Sequence, residues 1–364
     1  MNLRIGAFGR QESAAIVLLA TFFSGCFAVD SRALYENGNA SYLVETVSVI
    51  QALLLFEIVI WSLRVRGGND LSALIGRSRL KAALTIPLIL ALIIAAMQPL
   101  QSFLLTITQY VFVESKHATV CLYLLPCLFL LTALGAETLV RTARILLPIL
   151  LLSIVAALVS GIGQYRIYRI YPIPIGEPLR IFTQAGSAEM RTVPPLLALL
   201  CIGEGTQDRL AMRSSGRIGA IAGGLLCAAA LFALSMTFPY SQLKGMPTPF
   251  YRMLVEVRAE NPTLRLDRAV LFLWLCGAIL TSAYYLYAAC VLFCKTFGVR
   301  DSRPAALCLS GIAVTLILVL YYDAETTVAI LRSLYRDAWM LIAVPIPLIL
   351  LNLKRRKPKC AVSV

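Results

Sequence analysis

The amino-acid sequence predicts an all-α membrane protein with ten transmembrane helices, arranged as an inverted repeat of five helices and five. Three observations lead to this prediction. The 364 residues are 59% hydrophobic and have a mean hydropathy of +0.80, which is far above the range of soluble proteins. Apolar runs near the roughly 20 residues needed to cross a bilayer recur along the chain. Two of these runs, in corresponding positions of the two halves, are interrupted by glycine.

The predicted spans follow one another with short connections and form a single transmembrane domain, residues 1–353, followed by a basic tail at 354–364. The repeat halves cover about 11–163 and 190–353. The ten spans are Ser13–Val29, Ser41–Leu63, Ala82–Val113, Thr119–Leu134, Ala143–Gly163, a sixth starting near Pro194, Ile218–Phe238, Ala269–Phe297, Ala305–Tyr322 and Ala338–Leu353.

Charge gives the orientation of the spans. The formal net charge of +14 could indicate nucleic-acid binding, but the basic residues lie between apolar runs, as the positive-inside rule requires. With the N-terminus inside, the inner segments hold 20 of the 33 basic residues. We therefore expect both termini in the cytoplasm and no nucleic-acid partner. The basic tail could also contact anionic lipid headgroups.

The repeat follows from an odd number of spans per half, which places the halves in opposite orientations. Spans three and eight, which are equivalent, are both over-long. Spans one and six, also equivalent, carry Ser24-Gly25 and Gly203-Glu204-Gly205. Glycine weakens a helix, so both spans are predicted to be broken near these residues. A matched pair of interruptions indicates a binding site at the membrane midplane.

The predicted breaks suggest the chemistry of the ligand. Helix halves direct their positive N-terminal ends toward a break, which suits a carboxylate, while free carbonyls and Glu204 suit an ammonium group. Together they indicate a zwitterionic, amino acid-like ligand. Removing the Glu204 carboxylate is then expected to cost on the order of tenfold to a hundredfold in affinity. In the alternative interpretation span six ends at Ile202, the glycines form a cytoplasmic turn, and Glu204 pairs with Arg209.

The over-long spans would supply the walls of this site through their polar residues, although helix–helix hydrogen bonding is the alternative for each one singly. The complete candidate set is Ser24, Gly25, Met97, Gln98, Gln101, Gly203, Glu204, Gly205, Thr281, Ser282 and Tyr285.

The remaining polar residues indicate no catalytic or metal chemistry, so no enzyme, cofactor or metal site is predicted. Glu57 lies within span two, about two turns from Arg64, and is interpreted as a structural ion pair or as a snorkelling side chain. The ten cysteines lie mostly in apolar runs and are interpreted as small apolar residues of the core.

Five sequence motifs carry a resemblance to a known family. They are ETLVRTARILLP at Glu137–Pro148, YPIPIGEPLRIF at Tyr171–Phe182, the pair Gly203-Glu204, FPYSQL at Phe238–Leu243, and LDRAVLFLW at Leu266–Trp274. In their order and spacing the chain resembles the spore germination permease family, the membrane-embedded B subunits of nutrient germinant receptors.

This resemblance implies a LeuT-type core similar to that of amino acid–polyamine–organocation transporters. It also implies that an amino acid-like nutrient binds at the candidate residues, and that the partners are a receptor A subunit, a lipoprotein C subunit and membrane lipids. The expected location is the inner membrane of the spore or the cell membrane. A proton- or sodium-coupled amino acid transporter is the alternative function, and a scaffold that has lost ligand binding is a third.

Overall fold

A computed structural model of the chain describes residues 6–321 apart from 28–37, 67–69, 72–74, 76–80, 113–116, 172–177, 207, 244–245, 247, 261–265 and 300. The described part is helical, and its β-type pairing is limited to one isolated bridge between Phe8 and Thr206. The all-α prediction is therefore confirmed for these residues.

Nine long helices occur in the described part of the chain. They are α1 (Arg10–Phe27), α2 (Ser41–Arg66), α3 (Lys81–Tyr110), α4 (His117–Leu134), α5 (Ala136–Ser160), α6 (Pro178–Cys201), α7 (Arg209–Thr237), α8 (Leu266–Phe297) and α9 (Ser302–Tyr321). Short helices occupy Tyr240–Leu243 and Pro249–Glu260, and 3-10 turns occupy Gly38–Ala40, Ile162–Gln164, Ile167–Ile170 and Gly203–Gly205.

Six of these helices, α2, α3, α5, α7, α8 and α9, are long and apolar enough to cross a membrane. The chain is therefore an integral membrane protein. Each of the first nine predicted spans overlaps one of the nine helices, whereas the tenth, Ala338–Leu353, lies outside the described residues. The expectation that spans three and eight are over-long is confirmed, because α3 has 30 residues and α8 has 32.

The sixth helix begins earlier than predicted. The sequence predicted a sixth span starting near Pro194. In the structure one helix, α6, runs from Pro178 to Cys201 and includes Pro194 and Pro195. Membrane helices tolerate internal proline because neighbouring groups satisfy the freed backbone atoms, so these residues do not end the helix.

The two predicted interruptions have different outcomes. The helix of span six ends rather than breaks, because α6 ends at Cys201 and the 3-10 turn Gly203–Gly205 leads to α7, which contains the next predicted span. This is the course that the alternative interpretation gave for span six. The break predicted at Ser24-Gly25 is wrong, because α1 runs without interruption to Phe27.

Close packing explains why α1 has a glycine at position 25. A Cβ atom placed there would lie 2.5 Å from Cys227 Sγ and 3.1 Å from a carboxylate oxygen of Glu45. Gly25 therefore lets α1 approach α2 and α7 without breaking the helix.

Each helix packs chiefly on a helix distant in sequence: α1 on α7, α2 on α6 and α7, α3 on α8, and α4 on α9. The α1–α7 contact depends on small residues in the sequence Gly219-x-x-x-Gly223. A Cβ on Gly219 would lie 2.7 Å from the carbonyl oxygen of Ala14, and one on Gly223 would lie 2.6 Å from that of Leu18. Such glycine pairs allow the backbones of membrane helices to approach closely.

One side of the helix bundle is defined by contacts between helix ends. The backbone N–H of Phe8, just before α1, donates to the carbonyl of Gly205, just after α6, at 3.0 Å. Lys295, in the last turn of α8, contacts Asp70, which follows α2. The beginning of α1, the ends of α2, α6 and α8, and the beginning of α7 therefore share one side, which we call the N-terminal face.

The opposite side is held by the segment that follows α5. The N–H of Arg166 donates to the carbonyl of Met236 at 3.1 Å, and the side chain of Asn39 donates to the carbonyl of Arg169 at 2.8 Å. These bonds connect the segment to the end of α7 and to the turn before α2.

Candidate functional site

A pair of buried hydroxyl groups joins α1 to α8 in the interior of the bundle. Ser24 Oγ and the Tyr285 hydroxyl lie 2.6 Å apart, and either can be the donor. The Tyr285 hydroxyl is also 3.4 Å from the carbonyl oxygen of Ala20. Both side chains are fully buried. The structure therefore brings these two candidate residues into contact.

A second polar contact joins α8 to α3 nearby. The hydroxyl of Ser282 donates to the carbonyl oxygen of Ala96 at 2.8 Å, beside the buried side chain of Met97. Thr281, the neighbouring candidate, instead donates to the carbonyl of Gly277 within its own helix at 2.9 Å. Ser282 thus connects two helices, whereas Thr281 makes an intrahelical bond.

A proline removes one backbone hydrogen bond from α3 close to these contacts. Pro99 lies inside the helix and has no N–H, so the carbonyl of Ala95 has no helical donor. Gln98 is partly buried, and Gln101 is 4% exposed. The side-chain oxygen of Gln101 has no hydrogen-bond partner within the described part of the structure. A buried acceptor of this kind calls for a water or a ligand that donates to it.

Ser24, Ser282 and Ala96 lie at a common depth, and Gln101 lies about 7.5 Å further along α3 than Ala96. At 1.5 Å per residue, Ser24, Ser282 and Ala96 are each about 20 Å along their helices from the N-terminal face. That α3 begins beside the end of α8 is shown by a 3.1 Å bond between Thr85 and Thr296. We call Ser24, Gln101, Ser282 and Tyr285, with the carbonyls beside them, the mid-depth polar group.

The sequence analysis missed one acid at this depth. Glu45, in the second turn of α2, is fully buried and lies against Gly25 and Cys227. An ionisable residue inside a transmembrane segment is a functional candidate by default because its burial is costly. That signal was present in the apolar run Ser41–Leu63, where only Glu57 was singled out.

The predicted residues Gly203, Glu204 and Gly205 lie elsewhere, in a cluster of charges on the N-terminal face. Lys295 Nζ is 2.7 Å from a carboxylate oxygen of Glu204 and 2.5 Å from one of Asp70. The Asp70 side chain is 1% exposed, that of Lys295 13%, and that of Glu204 47%. We call Asp70, Glu204 and Lys295 the charge cluster.

The two groups are too far apart to touch one small ligand together. Tyr285 and Lys295 both belong to α8, so they are separated by about 15 Å along its axis. The structure therefore brings Ser24, Ser282 and Tyr285 together beside Met97, and it holds Glu204 at the end of the bundle. The described salt bridge of Glu204 is to Lys295 rather than to Arg209, the partner considered from the sequence.

Glu57 is part of an ion pair, but with different partners from the one suggested by the sequence. Its carboxylate is 2.7 Å from Arg213 Nη2 and also accepts a bond from Arg217 Nε, whereas the sequence pointed to Arg64. Arg213 and Arg217 are one turn apart on α7. A partner on another helix could not be identified from spacing within α2.

No group of three or more histidine, cysteine or acidic side chains suited to a metal ion occurs among the residues that the structure describes. The nine described cysteines are free, and the sulfur atoms of Cys26 and Cys227 lie 3.5 Å apart between α1 and α7.

The fold resembles those of solved transporters. A Na⁺-coupled sialic acid symporter, in its substrate-bound outward-open state, matches with a TM-score of 0.67 at 12% sequence identity over 94% of this chain and 79% of the symporter. A manganese transporter from Eremococcus coleocola matches with a TM-score of 0.65 at 14% identity over 95% of this chain and 78% of the transporter. Both neighbours are LeuT-fold transporters, so the likeness shows the fold.

Sequence comparison gives the family. Curated protein sequences contain no match to this chain. The family model described as spore germination protein matches residues 69–328, which is well over half of the chain. The family and the structural neighbours are permeases and transporters rather than enzymes. The chain therefore belongs to the spore germination protein family.

Proposed function

We propose that the chain is the membrane-embedded nutrient-sensing subunit of a spore germinant receptor and that it binds a small amino acid-like molecule at the mid-depth polar group. The observation that carries this proposal is the buried Ser24–Tyr285 hydroxyl pair. Gln101 on α3 adds a buried side-chain oxygen that has no hydrogen-bond partner among the described residues. Membership of the spore germination protein family supports a nutrient-related role in the membrane.

The chemistry of the group suits a zwitterion. The hydroxyls of Ser24 and Tyr285 can donate to a carboxylate, while the oxygen of Gln101 and the carbonyl of Ala95 can accept from an ammonium group. Glu45 supplies an acid beside α1 at the same depth. A ligand with no net charge costs less to desolvate in such a buried site than an ion does.

We further propose that the full chain has ten helices in two five-helix repeats of opposite orientation in the membrane. If each helix is equated with the one five positions later, the α1–α7 contact corresponds to the α6–α2 contact. The α3–α8 and α4–α9 contacts then map onto themselves. All four are major contacts of the bundle, which supports the repeat.

The basic residues predicted for the inner segments favour a cytoplasmic N-terminal face and cytoplasmic termini. We propose the spore inner membrane as the location, and a receptor A subunit and lipoprotein C subunit as the partners that detect ligand binding. Binding would shift an equilibrium between two conformations of the subunit.

The test uses two adjacent tyrosines. Tyr285→Phe removes the hydroxyl that faces Ser24, and Tyr284→Phe removes one that donates to the carbonyl of Pro195 at 3.0 Å. Both side chains are fully buried, so the variants lose similar structural bonds. At matched protein abundance, Tyr285→Phe should shift the germination dose-response to roughly two- to tenfold higher nutrient concentration, and Tyr284→Phe should not. Equal shifts in both variants would contradict the proposal.

A second candidate function is coupled transport. It is favoured by the structural neighbours, one of which is a Na⁺-coupled symporter. Purified protein in sealed vesicles distinguishes the two. Accumulation of a labelled amino acid driven by a sodium or proton gradient would establish transport, whereas saturable binding without accumulation would support sensing.

A further inference from the structure

A groove lined by arginine lies on the N-terminal face, where α1 and α7 begin. It has a volume of about 490 Å³ and is lined by Arg10, Leu210, Ala211, Arg213, Ser214 and Arg217. The groove is separate from the mid-depth polar group, because Ser24 lies about 21 Å further along α1 than Arg10. We call it the basic groove.

Two of the three arginines of the basic groove, Arg213 and Arg217, are held in place by one carboxylate. Arg213 Nε and Nη2 bind one oxygen of Glu57 at 2.8 and 2.7 Å, and Arg217 Nε binds the other. The two arginines are neighbours at i and i+4 and would repel each other without this carboxylate. Arg10 forms no salt bridge with any described residue. The three arginines and Glu57 together leave a surplus of positive charge.

The guanidinium groups retain donors for an additional anion. Each guanidinium has five N–H donors, and the bonds to Glu57 use only the Nε side of Arg213 and Arg217. Arginine matches the geometry of phosphate oxygens with two parallel N–H donors. A phosphate ester is therefore the anion that this lining fits.

Apolar surface next to the groove indicates that the phosphate belongs to a lipid. Leu210 lines the groove and is exposed, as are Ile218 and Ile221 on α7 and Ile58 and Trp61 on α2. A free phosphate would need no such surface, whereas acyl chains would cover it. Trp61 lies one turn beyond Glu57, and tryptophan is enriched at the level of lipid headgroups.

We propose that the basic groove binds the phosphodiester headgroup of an anionic membrane lipid in the leaflet at the N-terminal face. The arginines contact the phosphate, and the exposed apolar side chains of α2 and α7 contact the acyl chains. This site is additional to the nutrient site and does not depend on it.

The experiment measures lipid retention by the full chain. The protein is purified from bilayers that contain equal amounts of phosphatidylglycerol and phosphatidylcholine, and the lipids that remain bound are counted by native mass spectrometry. Wild-type protein should retain phosphatidylglycerol in preference to phosphatidylcholine. Arg10→Gln breaks no described contact and should lower this preference about fivefold, the effect of one basic residue near a membrane surface.

A matched control is Arg303→Gln. Arg303, like Arg10, is exposed and lies in the first turn of a helix, α9, but it does not line the groove. A triple variant, Glu57→Gln with Arg213→Gln and Arg217→Gln, removes the ion pair without leaving an unpaired acid. The triple variant should lose at least as much of the preference for phosphatidylglycerol as Arg10→Gln does, while Arg303→Gln should retain the wild-type preference.

Three results would overturn the proposal. The first is equal retention of the two lipids by the wild-type protein, and the second is an equal loss in Arg10→Gln and Arg303→Gln. The third comes from protein in phosphatidylcholine alone, to which either inorganic phosphate or phosphatidylglycerol is added. If both additions raise the melting temperature of the protein equally and Arg10→Gln abolishes both effects, the groove is a site for a soluble anion.

Discussion

The mid-depth polar group and the charge cluster both include residues of α8, but their polar atoms are satisfied in different ways. Ser24 and Tyr285 are neutral and bind each other, and Ser282 binds a backbone carbonyl. In the charge cluster, the Lys295 ammonium group forms salt bridges with both Asp70 and Glu204. Neutral groups can exchange one partner for another at a small cost, whereas a buried charge cannot lose its partner cheaply. Binding is thus expected at the first group, and structural stability is expected from the second.

The largest effect should come from Lys295→Met. This change removes the ammonium group that pairs with Asp70, which is 1% exposed, and breaking a buried pair costs about 3–5 kcal/mol. Thermal or chemical unfolding in detergent measures the loss, and adding Asp70→Asn should restore most of it.

Arg252→Gln is the control for that measurement. Arg252 forms an exposed i,i+4 pair with Glu256 at 3.6 Å, a kind of pair that contributes about 0–1 kcal/mol. If Lys295→Met unfolded no more readily than Arg252→Gln, the charge cluster would have no structural role.

An effect on binding without an effect on stability is expected for Gln101→Leu. The side-chain oxygen of Gln101 has no partner among the described residues, so its loss removes no known structural acceptor bond. If it accepts from the ligand, apparent affinity should fall by roughly two- to tenfold. Germination dose-response and unfolding temperature are measured together. A lower unfolding temperature with unchanged affinity would mean that Gln101 stabilises the structure and does not bind the ligand.

A smaller effect is expected for Glu204→Gln. With Glu204 47% exposed, its salt bridge should contribute no more than about 1 kcal/mol to stability, and nutrient affinity should be unchanged. This expectation differs from the tenfold to hundredfold loss inferred from the sequence. A dose-response shift of that size at matched abundance would show that Glu204 contributes to ligand binding.

The smallest expected effect is the coupling energy between the mid-depth polar group and the charge cluster. Residues more than about 10 Å apart with no shared partners usually act additively within about 0.5 kcal/mol. The double variant of Gln101→Leu and Glu204→Gln should therefore respond to nutrient as Gln101→Leu alone does. A coupling well above that value would mean that both residues act on one conformational change.

Hydropathy was sufficient to predict the helices, because long apolar runs can bury their backbone only as helices in lipid. The role of Gly25 could not be predicted in the same way. A glycine that breaks a helix and a glycine that allows close packing look alike in sequence, and only the positions of Cys227 and Glu45 distinguish them.

The contacts of the candidate residues could also be predicted from the sequence only in part. Ser24 and Tyr285 were placed in one candidate set because of the predicted repeat, and the structure brings their hydroxyl groups into contact. Asp70 was not singled out from the sequence, although it is fully buried. Its partner Lys295 is 225 residues away, and no local pattern connects the two.

The bond from Phe8 to Gly205 has a consequence for biosynthesis. The N–H of Phe8 is synthesised before α1, but the carbonyl that accepts it does not exist until α6 has been synthesised. The main packing partner of α1, the helix α7, is made later still. While the ribosome completes the first six helices, α1 must therefore be retained in the membrane by lipid, by the insertion machinery and by its own apolar side chains.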